Sequence, residues 1–443
     1  MFNNFNKQIN EKRLLDLQNQ LQYCKNSSNY FKNIFENNNI SIDKIDSLEK
    51  WLKLPVLMDK KKVRDCQDES LRLSNHAFGS HLCAPLENVA YVYSTSGTTG
   101  NPSFYCFTKK DFKVHSELVR RVMKFTGLKK GDSIMWGFGL GNFVATSLLP
   151  ILAEMGIRVI PVGAEAGTER LIQYTKLTRP NTHIGTPSFL KYMIEKVPNI
   201  TNKKVSDLGF RRIITGGEPG AGLPDIRNQL LNAFDAPIYD LYGPANQFAN
   251  ISCGTDDYQG MHVLGSDCGI WEDLIDPVTN EPLEIYDGVI GNMVITEIKK
   301  EAKPYLKYAM NDIIQVFLED CECGISGPRI KVLGRADDML IVKGVNIYPS
   351  ALQNIISKYS EELSGALKIH LDREPPLVTP PLRITVELSE KFKEKEHERI
   401  IDKIQENIKN ILSVKVQICL VPFGSFERSV RKTVLIDRDD IIN

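Results

Sequence analysis

Residues 91–105 read YVYSTSGTTGNPSFY, and this stretch decides how the rest of the chain is interpreted. Its apolar start is typical of a strand, and residues 94–100 combine two glycines with five hydroxyl side chains. Glycines let a backbone turn tightly around an anion, while hydroxyls and loop N–H groups donate to phosphate oxygens. The spacing is not that of a Walker loop, and Asn101 stands where a loop lysine could follow. The stretch predicts a strand and a phosphate-binding loop, with a surface turn as the alternative.

The composition favours a small-molecule partner. The 443 residues contain 55 Lys and Arg against 55 Asp and Glu, so no net charge attracts nucleic acid or an anionic membrane. No apolar run is long enough to span a bilayer, and no secretory signal pattern opens the sequence. Nine cysteines without a dense framework favour a reducing environment. We therefore expect a cytoplasmic protein with neither a nucleic-acid nor a membrane partner.

The order of segments predicts an α/β fold. Between residues 112 and 241, helix-period segments, including 145–155 and 188–195, alternate with short apolar segments. This βαβα pattern predicts a mostly parallel sheet covered by helices. Residues 250–333 carry turn residues between short β-like runs and predict a β-rich, antiparallel subdomain. We expect a large domain at 1–334 and a small α+β domain at 335–443.

Three predicted strands run directly into loops that look functional. These loops are 137–141 (GFGLG), 216–219 (GGEP) and 239–244 (YDLYGP). In open parallel sheets, ligands bind beyond the carboxyl ends of the strands. The three loops and residues 94–100 are therefore predicted to line one cleft.

The order of the motifs is more specific than any one of them. The loop at 94–100, the GGEP turn, the Asp-x-Tyr-Gly strand end, Asp312, GRADDMLIVKGVNIYP at 334–349 and GSFERSVRKT at 424–433 together resemble the phenylacetate–CoA ligase branch of adenylate-forming enzymes. The resemblance covers roughly residues 50–443. It implies that ATP activates a carboxylate as an acyl-adenylate with release of pyrophosphate. The acyl group would then pass to a thiol, foremost that of coenzyme A.

The resemblance also implies roles for individual residues. Lys432 would be catalytic, because its charge would offset the negative charge of the carboxylate and α-phosphate during displacement. The small domain would be mobile about a hinge at Asp337 or Asp338, and would present a different edge for each reaction step. The residues that would bind ATP or line its site are Ser94, Thr95, Ser96, Gly97, Thr98, Thr99 and Gly100 for the phosphates, Gly217, Glu218, Pro219, Asp240, Tyr242 and Gly243 around adenine, Asp312 and Arg335 at the ribose, Asn246 near Mg²⁺, and Lys343 and Gly344 in the second step.

Taken singly, these residues also fit ordinary structural roles. Glu218 could be a turn residue, Tyr242 a core aromatic, Asp312 a cap and Lys432 part of a solvated basic loop. The shared order of the motifs favours the functional interpretation.

Three departures from the family pattern affect the nucleotide site. Asn246 stands where the branch carries a glutamate, and an amide brings no negative charge, so weaker Mg²⁺ binding is expected. Residues 307–312 read KYAMND where the family has RYRTGD, and Asn101 replaces a loop lysine. These changes fit a divergent active enzyme, and they leave open a degenerate relative that binds nucleotide with little turnover.

Four residues form a candidate metal site. Cys253, His262, Cys321 and Cys323 offer thiolate and imidazole ligands that suit tetrahedral, structural Zn²⁺. Cys268 is a rival ligand, and reduced cysteines packed as small apolar residues are the alternative. Similar Cys and His positions in some members of the branch support the zinc interpretation. The site is predicted to link parts of the 250–330 region.

The acyl pocket is predicted from position. Segments 136–143, 185–187, 216–219 and 242–248 should form it, and their aromatic residues suit an aryl or arylacetic carboxylate. The sequence does not distinguish three acyl acceptors: coenzyme A, the phosphopantetheine of an acyl-carrier protein, and an amine. A homodimer is a further candidate assembly.

Overall fold

The computed structural model describes residues 2–94, 102–141, 143–243, 249–343, 345–373, 376–390, 392, 397–426 and 435–437. The helices are α1 (Phe2–Ser27), α2 (Asn29–Asn37), α3 (Leu48–Leu52), α4 (Lys60–Ser74), α5 (Lys109–Phe125), α6 (Leu148–Glu154), α7 (Thr168–Thr178), α8 (Pro187–Thr201), α9 (Pro224–Phe234), α10 (Pro349–Ser357) and α11 (His397–Leu412). The strands are β1 (Val89–Ser94), β2 (Phe104–Thr108), β3 (Ser133–Trp136), β4 (Arg158–Ile160), β5 (Thr182–Gly185), β6 (Arg212–Gly216), β7 (Ile238–Tyr242), β8 (Asn250–Ser252), β9 (Met261–Val263), β10 (Gly269–Ile275), β11 (Pro282–Leu283), β12 (Ile290–Glu297), β13 (Tyr308–Phe317), β14 (Arg329–Arg335), β15 (Leu340–Val342), β16 (Val345–Ile347), β17 (Leu363–His370), β18 (Leu377–Val378), β19 (Leu382–Leu388), β20 (Val416–Val421) and β21 (Ile436–Asp437).

One large sheet organises the first part of the chain. Its strand order is β11-β10-β12-β13-β14-β9-β8-β7-β6-β5-β3-β4. Strands β4, β3, β5, β6 and β7 pair in parallel, and the pairings from β7 to β11 are antiparallel. The predicted fold class is confirmed. The parallel and antiparallel regions are continuous, with β8 as the strand where the direction changes.

Buried apolar residues explain why the parallel strands lie at the centre. Ile134 and Trp136 face a core shared with α5 and α6, whereas Met135 between them faces a core shared with α7, α8 and α9. Such alternation lets both faces of a strand be buried under helices. Full burial of one large apolar side chain contributes about 1.5–3 kcal/mol, so the two cores fix the strands in place.

The antiparallel half of the sheet is covered by the N-terminal helices. Leu17, Phe31 and Trp51 are wholly buried against β10, β12 and β13. The indole N–H of Trp51 donates to Thr296 Oγ1 at 3.0 Å, which satisfies its one polar atom. Trp271 also lies in this core, as an ordinary buried aromatic.

The C-terminal part has its own core. Strands β20, β19, β17 and β21 form a four-stranded sheet, and β16, β15 and β18 form a three-stranded one. Helix α11 buries Ile400, Ile404 and Ile408, whose spacing of four residues places them on one face. None of the helices in the described ranges has the length and apolar character needed to cross a membrane.

Two predicted helices differ in extent from those observed. The segment predicted at 145–155 begins as a 3₁₀ turn (Val144–Ser147), and α6 starts only at Leu148. Pro150 explains the delay, because proline is tolerated in the first turn of a helix but not in its interior. The helix predicted at 188–195 is longer, and its N-cap Thr186 accepts a hydrogen bond from the Phe189 N–H at 3.2 Å.

Candidate active site

Three of the predicted nucleotide residues meet at the end of β7. Tyr242 is the last residue of β7, and Asp312 of β13 pairs with Arg335 of β14. The Tyr242 hydroxyl donates to Asp312 Oδ2 at 2.7 Å, and Arg335 Nη1 donates to Asp312 Oδ1 at 2.9 Å. Burial and the Asp312 carboxylate hold the pKa of Tyr242 well above its usual value, so the hydroxyl stays a donor. Each carboxylate oxygen still has a lone pair to accept from a ligand hydroxyl.

Arg335 is itself held in a fixed orientation. Its Nε and Nη2 atoms donate to the two Asp337 carboxylate oxygens at 2.8 and 3.0 Å, while Nη1 reaches Asp312. A guanidinium bound on two sides presents its remaining donors in one geometry. These contacts bring the predicted ribose residues together with the segment predicted to be a hinge.

The GGEP turn is attached to the start of α8. Gly217 has φ of +85°, a conformation that favours glycine over other residues. The Glu218 carboxylate accepts from the Ser188 backbone N–H at 2.8 Å and from the Ser188 hydroxyl. A carboxylate is favourable at a helix N-terminus, where the backbone N–H groups carry partial positive charge. Glu218 therefore positions the turn beside Thr186 and Phe138, the nearest side chains to Gly217.

The ends of the predicted phosphate loop are held in place. Ser94 forms an isolated parallel bridge with Phe143, so the loop begins beside the loop that follows β3. On the far side, buried Gln67 of α4 donates to the Pro102 carbonyl and accepts from the Phe104 N–H, both at 3.1 Å. Lys303 Nζ donates to the Phe104 carbonyl at 2.8 Å. The loop residues Thr95, Ser96, Gly97, Thr98, Thr99 and Gly100 lie outside the described ranges.

The predicted metal ligands come together around one point. The ligand atoms of Cys253, His262, Cys321 and Cys323 lie within 4.8 Å of one another. Cys253 follows β8, His262 lies in β9, and the two later cysteines lie between β13 and β14. Pairing of β9 with β14, including Arg329 with His262, brings these distant segments together.

The separations fit a tetrahedral zinc site. Zn²⁺ bonds of about 2.3 Å to sulfur and about 2.0 Å to nitrogen place two sulfurs about 3.8 Å apart, and sulfur about 3.5 Å from nitrogen. Cys253 Sγ lies 3.8 Å from Cys321 Sγ, and Cys323 Sγ lies 3.4 Å from His262 Nε2. The rival Cys268 lies instead in the apolar core beneath α5 and α6, where burial raises its pKa to about 12.

Comparisons with known proteins match the chain to one enzyme family. The family model for AMP-binding enzymes matches residues 21–298, and the model for the C-terminal domain of these enzymes matches 344–438. A phenylacetate–coenzyme A ligase of Thermus thermophilus is 31% identical over 377 residues, which are 79% of this chain and 80% of that protein. A ligase of the same name from Pseudomonas putida is 29% identical over 88% of this chain and 85% of its own length.

The chain belongs to the AMP-binding enzymes. Within them it falls in the phenylacetate–CoA ligase branch, which confirms the resemblance drawn from the motifs and the predicted enzyme class, an AMP-forming acid–thiol ligase. A solved structure of 2-hydroxyisobutyryl-CoA ligase with its acyl-adenylate shares the fold, with a TM-score of 0.84, 23% identity and coverage of 96% of this chain and 89% of that one.

Other predicted residues of this AMP-binding enzyme lie apart from the Asp312 cluster or outside the described ranges. Asp240 accepts hydrogen bonds from Thr215 Oγ1 at 3.2 Å and the Tyr258 hydroxyl at 3.1 Å. Burial raises the pKa of Asp240 to about 6 despite these donors and the charge of Arg227. Asp240 therefore belongs to a buried network behind Tyr242. Of the remaining predicted residues, Pro219, Gly243 and Lys343 are described, and Asn246, Gly344 and Lys432 are not.

Two of the altered positions in segment 307–312, Lys307 and Asn311, have a structural explanation. Lys307 is wholly buried, with Nζ 2.9 Å from Asp273 Oδ2 and 2.9 Å from the Leu52 carbonyl, so this residue joins the N-terminal helices to the sheet. Asn311 has φ of +61°, and asparagine tolerates this left-handed conformation better than most residues. The residues at positions 307 and 311 therefore leave the Asp312 carboxylate in place to bond Tyr242 and Arg335.

Residues that sequence reasoning missed hold the site from behind. Gln67 and Lys303 bond to the backbone that leaves the phosphate loop, but each lies in a segment without a recognisable motif. A buried Gln or Lys gives no periodic signal that separates it from the exposed residues of the same charged segment.

Proposed function

We propose that this AMP-binding enzyme activates a carboxylic acid with ATP, forms an acyl-adenylate and transfers the acyl group to coenzyme A. The cluster of Tyr242, Asp312 and Arg335 carries the proposal, because it holds an oriented, charged acceptor pair at a strand end of the large sheet. Vicinal hydroxyls of a ribose match two carboxylate oxygens that each keep an open lone pair. The relatives named phenylacetate–coenzyme A ligases support both the acid and the thiol.

The acid we propose is an aryl or arylacetic acid. Phe138 lies near the Gly216 and Gly217 positions and contacts Trp136 edge-on with ring centroids 5.5 Å apart. Trp136 is wholly buried, so Phe138 and Phe143 are the described aromatic residues placed to contact an acyl group. Flat apolar walls of this kind suit an aromatic ring. An acyl-carrier protein or an amine as acceptor, and a homodimeric assembly, are the alternatives to test.

Mg²⁺ is the proposed partner of ATP, and the cytoplasm is the proposed location. A divalent cation bridges phosphate oxygens and neutralises charge that develops during displacement at the α-phosphate. Nine cysteines, none of which pairs as a disulfide in the described structure, are compatible with a reducing compartment.

We place the domain boundary between residues 334 and 335, and the hinge at Asp337 or Asp338. Strand β14 ends at Arg335, and the separate C-terminal core begins at Leu340. The connection is short: Ala336 N–H donates to the Asn311 carbonyl at 2.8 Å, and Asp337 binds Arg335. A short connector between two independent cores is where a rigid-body rotation would be absorbed.

Pyrophosphate release tests the function directly. The enzyme is incubated with ATP and Mg²⁺ across a panel of aryl, arylacetic, fatty and amino acids, with and without coenzyme A. We expect release with one acid class that rises further when coenzyme A is added. Pyrophosphate release that does not change when coenzyme A is added would point to a carrier protein or an amine as acceptor. If no acid of the panel gives pyrophosphate release but AMP binding is measurable, the proposal is contradicted and a degenerate nucleotide-binding relative is favoured.

We also propose a structural zinc site at Cys253, His262, Cys321 and Cys323. The donor set of three sulfurs and one imidazole and the separations of 3.8 and 3.4 Å fit Zn²⁺. Four protein ligands close the coordination sphere, so the ion would tie β8, β9 and the loop before β14 together and take no part in chemistry.

Elemental analysis of the enzyme, purified without chelator, is expected to give about one zinc per chain. Cys321→Ser should lose the metal because a hydroxyl replaces a thiolate ligand, and the melting temperature should fall by about 5 °C or more. Cys268→Ser is the matched control, since Cys268 is also buried yet lies in an apolar core, and it should keep its zinc. A metal-free wild-type protein would refute the site.

A further inference from the structure

His183 is a buried imidazole without a partner. It lies in the middle of β5, and neither ring nitrogen has a hydrogen-bond partner among the described residues. The ring stacks on Phe189 with centroids 5.9 Å apart and lies 5.5 Å from Phe210, two side chains that offer no polar atom. Leaving a buried polar group unpaired costs about 1–3 kcal/mol. A polar partner from outside the described chain would recover that energy.

The imidazole is neutral in this environment. Burial lowers the pKa of His183 to about 3, so at neutral pH one ring nitrogen donates and the other accepts. A neutral ring of this kind can bond a hydroxyl in either direction, whereas a charged one could only donate. The side chain is therefore suited to an uncharged polar group.

Two glycines give the imidazole its position at the strand ends. A Cβ atom on Gly137 or on Gly185 would lie 2.8 Å from Nε2 of His183. Neither glycine is among the residues with positive φ, so the backbone conformation does not require glycine at either place. What glycine supplies here is room for the imidazole itself, whose buried Nε2 edge packs against the backbone at the ends of β3 and β5.

That edge coincides with the proposed acyl pocket. Gly137 is the second residue of the segment 136–143 and Gly185 is the first of the segment 185–187, two segments predicted above to form the pocket. The Gly137 N–H donates to the Ile184 carbonyl at 2.7 Å, which keeps the two segments side by side. His183 Nε2 therefore lies beneath the place where these walls meet.

We infer that His183 is a specificity-determining residue that hydrogen-bonds a hydroxyl or similar neutral polar substituent of the acyl group. The substrate class becomes an aryl or arylacetic acid with a polar substituent remote from its carboxylate. This inference rests on the proposed ligase function. The phenyl walls hold the ring of such an acid, and His183 distinguishes the substituted acid from its apolar analogue.

Matched acids test the inference. Pyrophosphate release is measured with phenylacetate, the 3- and 4-hydroxyphenylacetates, and the 3- and 4-methylphenylacetates, whose methyl groups match the hydroxyls in size. For one ring position, wild-type kcat/KM should favour the hydroxyl acid over its methyl isostere by roughly 100-fold or more, because a site built to bond a hydroxyl rejects an analogue that lacks it. His183→Phe should cut this ratio at least 10-fold, and His183→Gln should keep part of the ratio.

His81→Phe is the matched control. His81 is equally buried and its two ring nitrogens likewise have no partner among the described residues, but it lies between α4 and β1, beside Tyr30 and Tyr305. Its replacement should leave the ratio of hydroxyl to methyl acid unchanged. An unchanged ratio in His183→Phe, or a wild-type preference for the methyl acids, overturns the inference and leaves the ligase function standing. Absence of release with every acid overturns both. The comparison of hydroxyl and methyl acids in the wild-type enzyme requires no variant, so it tests the inference even if His183→Phe does not fold.

Discussion

Asp312→Ala is expected to lower kcat/KM for ATP by about 100-fold and to weaken AMP binding by a similar factor. The Asp312 carboxylate is the acceptor that Tyr242 and Arg335 orient with bonds of 2.7 and 2.9 Å. Each hydrogen bond to a charged group contributes about 1.5–3 kcal/mol, and two lost ribose contacts amount to about 3 kcal/mol or more. At 1.36 kcal/mol for each tenfold step, this gives about two orders of magnitude. Steady-state pyrophosphate release and AMP calorimetry measure the two effects.

Two further variants separate ribose binding from general damage. Tyr242→Phe keeps the ring for stacking and removes only the hydroxyl that donates to Asp312, so a loss of about 10-fold is expected from one hydrogen bond to a charged group. Arg335 retains its two bonds to Asp337 in Asp312→Ala, so the guanidinium stays paired and the fold should survive. AMP affinity within threefold of wild type in Asp312→Ala would show that the ribose role is wrong.

The same prediction distinguishes the two interpretations that the altered motifs left open. A degenerate relative that keeps only nucleotide binding would lose AMP affinity in Asp312→Ala with no activity to lose. An active enzyme loses both together. Lys307 and Asn311 are explained by the buried pair with Asp273 and by a left-handed backbone, so their departure from the family pattern does not itself indicate degeneration.

The sequence predicted many of the helices and strands because buried apolar residues recur at the spacing of each type of secondary structure. Short apolar segments between the predicted helices lie in strands, as Ile213 and Ile214 do in β6, and the four-residue spacing of isoleucines in α11 marks its buried face. The sequence also indicated that the four candidate metal ligands belong together, because thiolate and imidazole side chains suit one tetrahedral site. The order of motifs predicted that Asp312 and Arg335 act together, and they pair across β13 and β14.

Contacts between distant segments were not visible in the sequence. Tyr242 and Asp312 are 70 positions apart, and β14, β9 and β8 lie between their strands in the sheet order, yet their side chains form a direct hydrogen bond. Hydrophobic period reports that a residue is buried, but it does not report which strand lies beside it. Gln67 and His183 show the same limit, since a buried polar residue acquires its role from partners that only the fold supplies.

Lys432→Ala is expected to lower the rate of adenylation by about 1,000-fold, and to change acyl transfer from a supplied acyl-adenylate to coenzyme A by less than about threefold. Lys432 lies outside the described residues, and its proposed role rests on the resemblance of the C-terminal motif to that of the family. Displacement at the α-phosphate concentrates negative charge on the phosphoryl oxygens and the attacking carboxylate, and loss of one positioned cation there costs several kcal/mol. In acyl transfer the phosphate is already the leaving group and the attacking atom is a sulfur.

Adenylation and acyl transfer are measured as two separate half-reactions of the Lys432→Ala variant. This comparison tests whether Lys432 acts in adenylation alone. Arg431→Ala is the charge-matched control, because it removes a neighbouring cation of the same basic segment and should leave adenylation within a few fold. Lys343→Ala is the reciprocal variant: Lys343 is exposed at the end of β15, and its proposed role in the second step predicts slower transfer with adenylation retained. If the small domain adopts two orientations, Lys432→Ala should slow only adenylation and Lys343→Ala should slow only acyl transfer. A single fixed orientation would place both lysines in the same step. Equal loss of both steps in Lys432→Ala would contradict that division.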